Sequence, residues 1–185
     1  MMGWLVNRIF DALGRRYDYD VSYMHAMYAA SPKACMRFNK VAALARHREA
    51  VPVEASEAAR LAGTLAEDCG PCTQLVADMA REKDMPDDQI AAIVAGDVAA
   101  MSADTALGYR FARAIIARLP EADDLREEVR SRWGDKGVLD LTLGAQMSRT
   151  YPMIKAGLGF ARSCGPIRIG STLVAPAIHK TAHAS

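Results

Sequence analysis

The chain carries no excess of charge of either sign: 23 lysines and arginines stand against 22 aspartates and glutamates, for a formal net charge of +1. Without a basic footprint, nucleic acid is not an expected partner. No apolar run approaches the ~20 residues that a membrane-spanning helix needs, so no membrane span is expected. Trp4, Leu5, Ile9 and Phe10 are interrupted by Arg8 and Asp11 and no small-residue cleavage site follows. That stretch does not read as a secretion signal, and a cytoplasmic location is the expectation. The same four residues read as a stripe packed on the core or on another subunit, since membrane-surface helices carry a strongly basic polar face. A second cysteine pair is also missing. Cys35 and Cys164 stand alone, and His25, His47, His179 and His183 are scattered. A structural zinc site needs four ligands at short spacing, so neither a metal nor a cofactor is expected.

Strict apolar alternation is scarce, while helical spacing is everywhere. Ile90, Ile93 and Val94, then Leu107, Phe111, Ile115 and Leu119, then Leu125, Val129 and Trp133 follow the three-and-four rhythm of a buried helix face. Ser102 caps a helix from Ala103, Pro120 stops it, and Gly134-Asp135 closes one helix and opens the next. The expectation is a single all-α domain over residues 1–185, an antiparallel bundle of about seven or eight helices. Pro152 is expected to kink a helix or start a new one. After Gly159 the composition changes, and residues 161–185 read as an irregular or extended arm wrapped on the core or on a neighbouring subunit, or else as a floppy tail.

The most informative feature is Cys69-Gly70-Pro71-Cys72. Two thiols two residues apart can close and reopen a disulfide, carrying two electrons. Ser56 to Glu67 reads as one helix, with Ala58, Leu61, Ala62 and Leu65 inward, and Thr73 to Arg81 as another, so the pair opens a helix. Proline suits a first turn, and unsatisfied backbone donors there favour a thiolate over the usual thiol. Glu67 and Asp68 oppose this with negative charge. Cys35 and Cys164 read as small buried apolar side chains, although Cys164-Gly165-Pro166 repeats part of the motif. Met24, Met27 and Met36 read as core filling or as the lining of an apolar pocket, and Arg149 and Tyr151 as surface pairing or as residues that shape a site on a neighbouring subunit.

The tetrapeptide is that of thioredoxins, but the helical Leu61–Asp68 precedes it where thioredoxins have a β-branched strand, which speaks against that fold. Over residues 23–160 the chain resembles the carboxymuconolactone decarboxylase and AhpD-like alkylhydroperoxidase family. The features are Glu57 in a helix twelve residues before Cys69, the Cys-x-x-Cys at the next helix start, the Met85-Pro-Asp-Asp-Gln-Ile90 segment, Ser102 to Ala112, Trp133 to Leu141, and Gln146 to Tyr151. The resemblance implies an all-helical homo-oligomer that reduces peroxides. By that analogy Cys72 attacks, Cys69 resolves the sulfenic acid to a disulfide, and Glu57 accepts the proton. A thioredoxin-like or dihydrolipoyl thiol donor would recycle it. The family histidine four residues after the second cysteine is replaced by Val76. His25 is a possible auxiliary in its place. The substitution opens an alternative, a helical oligomer of the same fold that binds a small molecule or senses redox state. A decarboxylase role stands third, since such members typically lack the paired cysteines.

Overall fold

The structure, a computed structural model, describes residues 2–163 and 165–177. Cys164, His179 and His183 lie outside the described residues. The fold is all-α apart from one short β-ribbon. Its centre is α5 (Val53–Ala66), buried from Ala55 to Leu65 without interruption. A helix buried all round needs close neighbours on every side, and the small residues of α5 allow them. A Cβ on Gly108 of α8 (Ala103–Ala117) would stand 2.4 Å from the Ala55 carbonyl oxygen. A Cβ on Gly63 would stand equally close to the Ala145 oxygen of α9 (Ala122–Gly157). Leu61, Ile90, Phe111, Val129 and Leu141 fill the core around this contact.

The expected punctuation at α8 is present. Ser102 Oγ accepts from the Thr105 N–H at 3.3 Å, and Arg118 takes a left-handed φ of 54° just before Pro120. Gly134, at φ 69° and ψ −174°, divides α9 into two arms. Pro152 does not end the helix: the second arm continues with helical backbone to Gly157 and buries the proline ring. Asp140 on that arm accepts at Oδ2 from the backbone N–H groups of Glu49, Ala50 and Val51 at 2.9, 2.8 and 3.3 Å. This carboxylate fixes the turn that launches α5.

The N-terminal third contributes α1 (Met2–Tyr17), α2 (Ser22–Ala30), α3 (Pro32–Phe38) and α4 (Val41–Ala45). Phe10 is buried, but Trp4, Leu5 and Ile9 are 66%, 55% and 59% exposed, so these three do not pack on the chain's own core. Met36 is likewise exposed and fills no core. Where it is described, the C-terminal arm is extended and rests on the core, one of the forms expected of it. β1 (Ile167–Ile169) and β2 (Thr172–Val174) form an antiparallel hairpin closed by Gly170 and Ser171, with Ile167 and Ile169 buried. Its inward face rests on α6 (Gly70–Arg81) and α7 (Asp87–Ala95). Gln74 of α6 fastens it, donating to Arg168 O at 2.9 Å and accepting from Arg168 N at 2.8 Å.

Candidate functional site

Cys69 is the N-cap of α6, with extended backbone, and Pro71 occupies the first turn. Asp68, at φ 48°, turns the chain out of α5 into this cap. Both cysteines are buried at 3% exposure and both are free thiols. Cys69 is held well below its ordinary value of 9.0, at about 7. The main cause is a hydrogen bond from the Cys72 thiol, which outweighs burial, and the Lys155 ammonium adds to it. Cys72 is pushed far up, first by its hydrogen bond to Cys69 and then by burial. The two sulfurs therefore act as one acid that releases its first proton near neutrality and keeps its second. Of the two neighbouring acids, Glu67 is neutralised by Arg149 at 2.5 Å, while Asp68 pushes Cys69 slightly upward.

Lys155 is the residue sequence reasoning missed. It lies on the second arm of α9 at 1% exposure, 3.4 Å from the Tyr19 hydroxyl and 4.7 and 5.2 Å from the ring centroids of Tyr19 and Tyr23. Among the described residues no carboxylate stands within ion-pair distance of its ammonium. Taking an ammonium out of water costs several kcal/mol unless it is compensated, and here the faces of Tyr19 and Tyr23 stand against it while its field reaches the thiol pair and Asp20. Tyr19 comes from the loop between α1 and α2. Its N–H bonds to Gly14 O at 3.0 Å, while Asp20 accepts from Ser22 N at 2.9 Å, and this turn points the ring inward. The Tyr19 hydroxyl is 3.8 Å from Cys72 Sγ.

Lysine only donates, so it donates to Tyr19 Oη, and the tyrosine hydrogen can turn to Cys72 or to the Tyr23 oxygen. Burial keeps the Tyr19 phenol far above its usual range, so that hydrogen stays in place. With that hydrogen turned to Cys72, donors run from Lys155 through Tyr19 to Cys72, and the Cys72 thiol in turn is what holds Cys69 down. Negative charge collects at the helix N-terminus, where backbone dipoles favour it.

Glu57 is fully buried, yet the structure does not bring it to the cysteines. Its two oxygens are held by Arg60 and Lys83, each at 2.5 Å. The twelve-residue spacing sets its height along α5, but the arginine one turn on turns the carboxylate aside. His25 is not brought there either. Its ring nitrogens contact Asn7 Oδ1 at 3.1 Å and Asp11 Oδ1 at 2.9 Å, pinning α2 to α1. Cys35 is buried, with its thiol pushed up by burial, and stands apart from the pair.

Cys72 forms part of the wall of a cavity of about 160 Å³. Leu13, Met24, Leu75, Val76 and Met79 give it an apolar lining, and Tyr19, Tyr23 and Tyr151 face into it. Arg46, exposed, marks its mouth, and Arg60, buried, its floor. Tyr151 thus lines a cavity, with Phe38 edge-on at 5.2 Å, where surface pairing was the simpler expectation. Among the described residues no cluster of three or more histidine, cysteine or carboxylate side chains is placed to hold a metal, and no helix is long and apolar enough to cross a membrane.

No protein-family model matches the sequence. No curated protein and no solved structure matches the chain.

Proposed function

We propose that this protein is a thiol-dependent oxidoreductase that reduces peroxides through the Cys69 and Cys72 pair, as the resemblance of its motifs to the AhpD-like alkylhydroperoxidases implies. The observation that carries the reading is that Cys72 stands on the cavity wall with Tyr19 and Lys155 behind it, while Cys69 stores the negative charge. A peroxide entering the cavity meets Cys72. The Cys72 proton moves to Cys69 along their hydrogen bond, and the Cys72 sulfur attacks. An S–O bond forms, the O–O bond breaks, and two electrons pass from sulfur to the peroxide. The departing alkoxide takes the Tyr19 proton, which Lys155 replaces. Cys69 then attacks the sulfenic sulfur, its proton leaves with the hydroxide as water, and the disulfide closes. Dithiol and hydroperoxide become disulfide, alcohol and water. In this relay Lys155 and Tyr19 take the place that the resemblance gave to Glu57 and a histidine.

Recycling requires a dithiol donor, of a thioredoxin-like protein or a dihydrolipoyl group, in keeping with a cytoplasmic location. The uncovered Trp4, Leu5 and Ile9 on α1 support a homo-oligomer as the working form. The test is consumption of an organic hydroperoxide with dihydrolipoamide as donor. Turnover is expected, lost in Cys72→Ser and arrested at a trappable sulfenic acid in Cys69→Ser. Parental rates in both variants would defeat the proposal.

One observation favours a second reading. Val76, one turn beyond Cys72 on the same cavity wall, makes the site more apolar than a peroxidase with a histidine there. A ligand binder or redox sensor would oxidise once, stoichiometrically, without turnover when a dithiol donor is present.

A further inference from the structure

We propose that the cavity beside Cys72 binds a small organic anion, a monocarboxylate with an apolar body, whose carboxylate is held by Arg60 Nε and Ser148 Oγ. Both side chains line the cavity, at 4% and 3% exposure. Both atoms are buried, and neither has a hydrogen-bond partner among the described residues. Nearly all buried polar atoms are satisfied, so two orphans in the wall of one cavity point to a ligand that completes them.

Across the junction of α5 and α9, Arg60 stands against Gly144 and Ser148 against Gly63. A Cβ on Gly144 would touch Arg60 Cγ at 3.4 Å, and one on Gly63 would meet Ser148 Cβ at 3.3 Å. Gly63 follows Arg60 by one turn and Ser148 follows Gly144 by one turn, so the four positions form one patch. The arginine fork is otherwise committed, Nη1 to Glu57 and Nη2 toward Met79 Sδ at 3.7 Å. Nε is the guanidinium nitrogen that has no partner, and the serine hydroxyl supplies a second donor, which matches the two oxygens of a carboxylate.

Charge selects the sign. The charged side chains lining the cavity are Arg46 and Arg60, and no aspartate or glutamate lines it. Glu57 does not cancel this field, because Arg60 and Lys83 share it and leave one net positive charge in the group. Size and lining select the body. A cavity of about 160 Å³ edged by Met24, Leu75 and Met79 is on the scale that admits a benzene-sized group, roughly 150 Å³. The inference stands without the peroxidase reading, since it concerns binding alone.

The test is isothermal titration of the reduced protein with benzoate, benzyl alcohol and benzylamine. Benzoate is expected to bind one to one, with benzyl alcohol about tenfold weaker and benzylamine undetected. Ser148→Ala should weaken benzoate roughly fivefold and leave benzyl alcohol unchanged. Arg60→Lys, which keeps a cation for Glu57 while removing Nε, should weaken benzoate as well; Ser148→Ala decides the matter if that protein does not fold. Equal affinity for benzoate and benzyl alcohol, an unaltered Ser148→Ala, or no binding of benzoate and hexanoate would each overturn the proposal. The heat of binding is read without peroxide, so failure here is separate from failure of the redox reading.

Discussion

Lys155 Nζ donates to Tyr19 Oη over 3.4 Å in the interior, and the same hydroxyl stands 3.8 Å from Cys72 Sγ. A buried cation with no carboxylate in ion-pair distance among the described residues is an expensive feature, and its field falls on the two sulfurs: it lowers both thiols.

Lys155→Met should therefore raise the pH at which the pair becomes reactive, upward from about 7. It should slow peroxide oxidation about tenfold while leaving stability equal or higher, because a buried charge is replaced by an apolar side chain of similar length. Iodoacetamide alkylation against pH and a urea midpoint measure the two effects.

Tyr19→Phe removes the hydroxyl that faces Cys72 at 3.8 Å and keeps the ring. Loss of a positioned proton donor should lower hydroperoxide reduction about 10²-fold. The alkylation profile of Cys69 should move little, since Tyr19 is not among the causes of its lowered pKa.

The pair should titrate as a unit. Cys72→Ala removes the main cause of the low Cys69 pKa, which should climb from about 7 toward its ordinary 9.0. Cys69→Ala should bring Cys72 down, because Cys69 is the main cause that holds it up. A depressed folded pKa contributes stability above the unfolded value and loses it as pH falls through the folded one. The Cys69 contribution should therefore fade as pH drops from about 9 through about 7. Thiolate absorbance and pH-dependent urea melts follow both.

Val76→His places an imidazole one turn beyond Cys72 on the cavity wall. With Tyr19 and Lys155 already moving the proton, the rate should rise by no more than about twofold. A gain of about tenfold or more in steady-state turnover would mean that the proton route through Tyr19 limits the enzyme.

Asp140→Ala leaves three backbone N–H groups of the turn before α5 without their acceptor. A loss of about 3 kcal/mol in urea unfolding is expected, from charge-assisted bonds to buried or half-buried donors.

Much of the site's scaffold is legible in the sequence. Pro71 and the inward pattern of α5 and α6 place the thiols at a helix start, where they are found. The hairpin is half legible: Ile167, Ile169 and Gly170 give alternation and a turn, but the glutamine that fastens them lies 94 residues earlier. Glu57 misleads because spacing along a helix gives depth and not direction. Its direction is set by Arg60 nearby and by Lys83 beyond the next helix, a tertiary contact with no sequence signature. Lys155 did have a signal. Leu141, Ala145, Ser148, Pro152 and Lys155 form one buried stripe at helical spacing, and a lysine on such a stripe marks a site. Ser148 lies on the same stripe, and its missing partner becomes visible only in the fold, where Gly63 packs against it and Arg60 lines the same cavity.

The most direct test mixes pre-reduced protein with one equivalent of an organic hydroperoxide and follows the Cys69 to Cys72 disulfide by peptide mass over time, with Cys35 as the internal reference thiol. The disulfide should form at least about 100-fold faster than Cys35 is oxidised, and Lys155→Met should narrow that gap. Oxidation of the pair no faster than Cys35, or a rate indifferent to Lys155, would contradict an activated redox pair in this protein.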